Sequence, residues 1–139
     1  MSYKFRAYHK KKERLVDVLE INFEYNTVTL AIETDSDEEY YWWSSTCHLD
    51  EVELMQYTGL TDKNGVEIYE GDIIFIKQTN VIDKMIPHET HREVIFHEGA
   101  FTINDKIKWN LGLYYKPDEE LEVIGNIYQH SHLLKENEK

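Results

Sequence analysis

From residue 3 to residue 128 the chain falls into short stretches in which every second residue is apolar, separated by charged clusters and turn formers. Tyr3, Phe5 and Ala7 alternate with Lys4 and Arg6, the period of two of a half-buried strand running to Tyr8. His9 to Arg14 is a charged loop. From Leu15 onward, Leu19, Ile21, Phe23 and Tyr25 are predicted on one face, with Glu20, Asn22 and Glu24 on the other. A turn at Asn26-Thr27 then returns the chain through Val28, Leu30 and Ile32, which completes a hairpin. Asp35 to Glu39 is a solvated acidic loop, and Tyr40 to Thr46 is aromatic and β-prone. His48 to Glu53 predicts a short helical turn with Leu49, Val52 and Met55 on one face.

The best-defined stretch runs from Met55 to Lys77. Asp62 to Gly65 has the composition of a tight turn, because Asp can accept from amides two residues on and Gly65 can take a positive φ. Gly59 and Gly71 mark two further bends. Ile73, Ile74, Phe75 and Ile76 are consecutive large apolar residues bounded by Gly71-Asp72 and Lys77-Gln78, which predicts a strand covered on both faces. Thr79 to His91 is polar and contains Pro87, a long excursion or hairpin tip. Arg92 to His97 is a strand, Glu98-Gly99 a turn, and Ala100 to Asn104 the return. Ile107 and Trp109 alternate, followed by Leu111, Leu113 and Tyr115 and a turn at Lys116 to Glu119. A final strand sets Leu121, Val123 and Gly125 against Glu122, Ile124 and Asn126 and runs to Tyr128, and Ser131 is placed to cap a last helical turn, His132 to Glu136. Short strands with turn signals every eight to twelve residues predict an all-β sandwich or barrel with only short helical turns.

The same residues carry a family resemblance. Gln56-Tyr57-Thr58-Gly59-Leu60, Asp62 to Gly65, and Ile68-Tyr69-Glu70-Gly71-Asp72-Ile73 resemble the signature of the YopX family of phage and prophage proteins. Phe5 to Tyr8, Val123 to Tyr128, and Leu133-Leu134 fit the same pattern in the same order. The resemblance implies a C-terminal SH3-like small β-barrel. With a soft boundary near residue 50, residues 1–50 are then an N-terminal strand layer and 51–139 the barrel. It carries no activity that transfers residue by residue.

Composition narrows the setting. At 139 residues the chain forms one compact domain or two small ones sharing a core, large enough to fold without a metal or disulfide. One cysteine, Cys47, forms no internal bridge, no apolar run approaches a membrane span, and the N-terminus lacks the apolar region of a signal peptide. The expected setting is cytoplasmic. A net charge of −12 argues against a general duplex-DNA binder, which neutralises phosphates with Lys and Arg.

No residue set in the sequence makes a strong case for catalysis, cofactor or metal binding, so the chain is expected to be a non-enzyme without cofactor. His88, His91 and His97 are the nearest approach to a metal set, but their spacing is not that of a helical zinc site, and they read as exposed histidines. His130 and His132 read the same way. Cys47 and His48 are adjacent, hence on opposite strand faces, and Cys47 reads as packing. Glu67, Glu70 and Asp72 flank the central turn, where Asp72 is expected to accept turn amides rather than do acid–base work. Six basic residues between Lys4 and Arg14, interleaved with Tyr3, Phe5 and Tyr8, match the chemistry of single-strand nucleic-acid binding, and the competing reading is an edge strand guarded by lysines. Consecutive aromatics Tyr40 to Trp43 send two side chains outward on a strand, which suggests self-association or a host or phage protein partner. The residues selected as a contact surface are Gln56, Tyr57, Tyr69 and Trp109, polar-tipped or aromatic groups near turns and strand ends.

Overall fold

A computed structural model describes residues 3–32, 43–77, 89–104, 109–110 and 120–135. The molecule is almost wholly β, as the alternation requires. The strands are β1 (Phe5–His9), β2 (Arg14–Asn22), β3 (Thr27–Ile32), β4 (Trp43–His48), β5 (Val52–Thr61), β6 (Glu67–Tyr69), β7 (Asp72–Lys77), β8 (Glu89–His97), β9 (Ala100–Ile103), β10 (Trp109–Asn110) and β11 (Glu120–Asn126). One helical turn, α1 (His132–Lys135), comes after β11, and a 3-10 turn at Leu49–Glu51 precedes β5. Among the described residues all pairings are antiparallel, in the orders β4-β3-β2-β1-β5-β6 and β10-β9-β8-β7-β11. Compactness divides the chain into two units, Ser2–Gln56 and Tyr57–Lys139. Among the described residues no helix is long and apolar enough to cross a membrane.

In the first unit, Ala7, Val28, Leu30 and Val52 form a buried cluster covered by Val16, Val18, Ile21, Cys47, Leu49 and Leu54. Here simple alternation fails at one point. Asp17 and Val18 pair with Ala31 and Leu30, but Glu20 pairs with Thr29, so Leu19 is an extra residue bulged from the ladder. The bulge reverses the parity of β2, turning Ile21 inward opposite Val28 and leaving Leu19 exposed. The strand then ends at Asn22, earlier than alternation predicts, and Phe23 and Tyr25 stand in the turn, exposed, rather than on the core face. β1 is likewise not an edge strand. It lies between β2 and β5, with Ala7 opposite both Val16 and Leu54, which corrects the reading of a lysine-guarded edge. The helical turn predicted over His48 to Glu53 is only the single 3-10 turn, and Val52 and Met55 belong to β5.

In the second unit the isoleucine run is indeed an interior strand. β7 lies between β8 and β11, and Ile73, Ile74 and Ile76 are buried. Ile74 and Ile76 join Ile68, Val94, Ile103 and Leu121 in one cluster. Ile73 and Phe75 fall on the opposite face by alternation. There the Phe75 ring meets His91 at 5.4 Å, and α1 packs on β8, its Leu133 carbonyl 3.2 Å from His91 Nδ1. β8 begins at Glu89, three residues before the predicted start, so β7 and β8 form a hairpin whose tip, 78–88, is outside the described residues. Glu98 and Gly99 both have positive φ, 49° and 82°, the two-residue turn that matches the twist of β8 and β9.

Asp62 fastens this unit together. Its Oδ1 accepts the amides of Asn64 (2.8 Å) and Val66 (2.9 Å), closing the turn in which Gly65 takes φ 81°. Its Oδ2 accepts the Val123 amide at 2.9 Å, and Lys63 N–H donates to the Leu121 carbonyl, so the turn is tied to β11. β11 also carries a bulge. Val123 pairs with Ile74 but Gly125 with Ile73, so Ile124 is extra and the predicted facing of the strand reverses, which brings Asn126 inside. Gly125 is required by close approach, since a Cβ there would lie 2.7 Å from the His130 ring.

Substitutions at these two positions have defined outcomes. Asp62→Ala strips three amides of a charged acceptor and is expected to cost about 3–5 kcal/mol in urea unfolding, whereas Asp62→Asn, which keeps one acceptor oxygen, costs less. A loss below about 1 kcal/mol for the alanine would show that the turn does not depend on the carboxylate. Gly125→Ala is expected to destabilise the native chain by more than it destabilises a His130→Gly background, which removes both the ring and the Cβ that would lie 2.8 Å away, and equal losses in the two backgrounds would remove the steric account.

Candidate protein-contact surface

Each group singled out by its chemistry has a definite place. Asp72 is buried at the start of β7, and its Oδ2 accepts the Tyr69 amide at 2.8 Å, the turn-holding role expected of it. Glu67 Oε2 lies 3.4 Å from the Tyr69 hydroxyl. Glu70 is held above its ordinary pKa, first by burial and then by the negative charge of Glu93. Cys47 packs against the first unit's core, and burial followed by the charge of Glu51 raises its thiol pKa, with Lys12 pulling the other way. A thiol raised in this way is less nucleophilic at neutral pH.

The histidines are separated by the ladder. His91 and His97 lie six positions apart on β8, roughly 20 Å at strand rise, too far to share an ion. His91 meets Phe75 and α1, and His97 sits at the surface 3.8 Å from Glu98 Oε1. His88 is outside the described residues. The His130 Nδ1 accepts the Asn126 amide at 3.1 Å, and its ring stands 6.4 Å from that of His132.

The basic segment is partly neutralised. Lys10 Nζ lies 3.2 Å from Glu53 Oε1 and donates to the Asp50 carbonyl at 3.1 Å. Arg6 Nε donates to Met55 Sδ, and the Lys12 amide donates to Nδ1 of the buried His9.

Of the four residues selected as a contact surface, Tyr57 and Tyr69 come together. They are cross-strand partners on β5 and β6, with ring centroids 5.5 Å apart and planes tilted by 40°. Gln56 pairs with Phe5 on β1 and, as the neighbour of Tyr57 on one strand, faces the other way. Trp109 is placed by its backbone opposite Ile103. Tyr40 to Trp42 are outside the described residues.

A sequence model of the YopX protein family matches residues 4–135. The chain belongs to the YopX family. Among solved structures it resembles protein EF1440 from Enterococcus faecalis, with 25% identity, a TM-score of 0.63, and 96% of this chain and 99% of that one covered. It also resembles protein yopX from Bacillus subtilis in fold, with 18% identity, a TM-score of 0.61, and coverage of 94% and 97%. No curated protein matches it.

What the sequence pattern missed in this YopX-family chain is the extent of the turn between β2 and β3, which begins at Phe23 and leaves its aromatic groups exposed. Phe23 is 82% and Tyr25 68% exposed, and the bulged Leu19 is also exposed on the preceding strand. The backbone beneath them is held. Asn22 Oδ1 accepts the Tyr25 amide at 3.0 Å, Asn26 takes φ 57°, and the Asn26 carbonyl accepts the Leu49 amide at 3.0 Å. Glu20 and Glu24 are exposed beside these apolar groups. The signal was present in the Asn-rich composition of residues 22–26, which suits a turn, but it was outweighed by the even spacing of apolar residues.

The electrostatics of Glu70 give a pH prediction. Its folded pKa lies above the unfolded one, so the native state holds the proton more tightly and loses stability as pH rises through that window. Glu70→Gln is therefore expected to stabilise the protein at neutral pH. That gain should vanish below roughly pH 4, where both states are protonated. Thermal unfolding across pH checks this, and a gain that persists in acid would assign the effect to packing.

Proposed function

We propose that this chain is a phage- or prophage-encoded, non-enzymatic binding and assembly module, acting in the host cytoplasm through protein contacts that include its own copies. The observation that carries this is the turn after β2, which presents Phe23 and Tyr25 to solvent on hydrogen-bonded backbone. Single exposed apolar residues are ordinary on soluble proteins. Three within seven positions, Leu19 on β2 and two on a turn fixed by side-chain and backbone bonds, form an anchor that loses little conformational freedom when it is covered. The phage setting rests on the family resemblance, the partner-binding role on the exposed aromatic groups of this turn, and self-association on the aromatic sequence Tyr40 to Trp43.

Light scattering across the micromolar range, together with retention of host proteins on the immobilised chain, tests the reading. The native protein is expected to exceed monomer mass, and Phe23→Ser with Tyr25→Ser is expected to release at least one retained host protein while the thermal midpoint is kept. A strict monomer that retains no host protein would sink the proposal.

A further inference from the structure

We infer that β4 is the edge through which two copies of this chain join, as an antiparallel β4–β4 pair about a two-fold axis at Ser45. The inference rests on the self-association proposed above and adds where it occurs. Among the described residues the hydrogen-bonded strand orders end at β4 and β6 in one case and at β10 and β11 in the other. Three of these four ends are poor partners for themselves. β10 has two residues, β6 has three and carries Glu67, and β11 carries Glu120 and Glu122 with no basic residue. On a chain of net charge −12, pairing acidic strands across a two-fold sets like charges together. β4, Trp43-Ser44-Ser45-Thr46-Cys47-His48, has six residues and no acidic or basic one apart from His48. It also lacks the lysine, proline and bulge by which edges are commonly protected.

The ladder with β3 fixes which groups are on offer. The Leu49 amide donates to the Asn26 carbonyl, which makes Thr27 and His48 a non-hydrogen-bonded pair. Alternation then directs the amides and carbonyls of Ser44 and Thr46 away from β3, and those of Trp43, Ser45 and Cys47 toward it. The close approach of Thr29 Oγ1 to Thr46 Oγ1, 3.1 Å, agrees with that assignment. The His48 amide also points away from β3, but Glu51 Oε2 takes it at 2.8 Å and so closes that end of the edge. Among the described residues the open edge is therefore centred on Ser45. Setting Ser44 of each copy opposite Thr46 of the other exchanges four backbone hydrogen bonds and places the two Ser45 residues face to face.

Sedimentation velocity in the micromolar range tests this with variants chosen by the direction of each amide. Ser44→Pro removes only an outward amide, which an edge strand tolerates. It is expected to convert the dimer to monomer with the thermal midpoint nearly unchanged. Thr46→Lys, a charge on the same edge, is expected to do the same. In a Cys47→Ser background, Ser45→Cys is expected to give disulfide-linked dimers on copper–phenanthroline oxidation, and Lys11→Cys, on the β1–β2 turn, is not. A dimer that survives both Ser44→Pro and Thr46→Lys, with no Ser45→Cys cross-link, overturns the edge and leaves self-association standing. A native protein that is monomeric throughout overturns both.

Discussion

A single carboxylate organises the glycine-rich middle of the molecule. Asp62 sits where three backbone amides would otherwise be left without an acceptor, two within its own turn and one on β11. Backbone amides withdrawn from water need such partners, and a charged acceptor makes the bonds stronger than a neutral one would. Because β11 pairs with β7 along its length, the same side chain fixes the neighbour of the isoleucine strand. Burial of Ile73, Ile74 and Ile76 supplies apolar driving force of roughly 1.5–3 kcal/mol per side chain, but that force is indifferent to register. The directed bonds of Asp62 specify it.

The same division between undirected burial and directed bonding decides how much could be read from the chain. Positions whose meaning is local were legible. Gly65 and Gly71 have the positive φ their turns require, the Glu98-Gly99 hairpin closes as expected, and Asp72 accepts a turn amide. The isoleucine run could only be an interior strand, since both faces are apolar. What failed was parity across the two bulges. Leu19 and Ile124 look like ordinary members of an alternating series, and nothing in their chemistry marks them as the residues left out of the ladder. Each omission reverses the facing of the residues beyond it, so Ile21 packs inward and Asn126 is brought inside, while Phe23 and Tyr25 are left in water because β2 ends at Asn22.

Contacts between residues distant in the chain follow the same division. The basic segment suggested an edge because lysines commonly guard one, yet β1 receives β5 on its second side from far along the chain. Lys10 then finds Glu53 and the Asp50 carbonyl, contacts that no local pattern announces. Tyr57 and Tyr69 belong to one contact surface in the sequence reading, near turns and strand ends, and strand pairing makes them a ring pair. Gln56 belongs with Phe5 instead, because one step along a strand changes both the partner and the face.

The pairing of β1 with β5 also has a temporal side. On a ribosome, Phe5 to His9 emerge before both neighbours and can meet β2 almost at once, but their second neighbours, Val52 to Gln56, follow some forty residues later. At typical elongation rates of about 5–20 residues per second, β1 waits several seconds with one side of its backbone open. Basic residues on and beside that strand repel other nascent chains' copies of it during the delay, so the lysines absent from the finished sheet's edge still have an edge to protect while translation is under way.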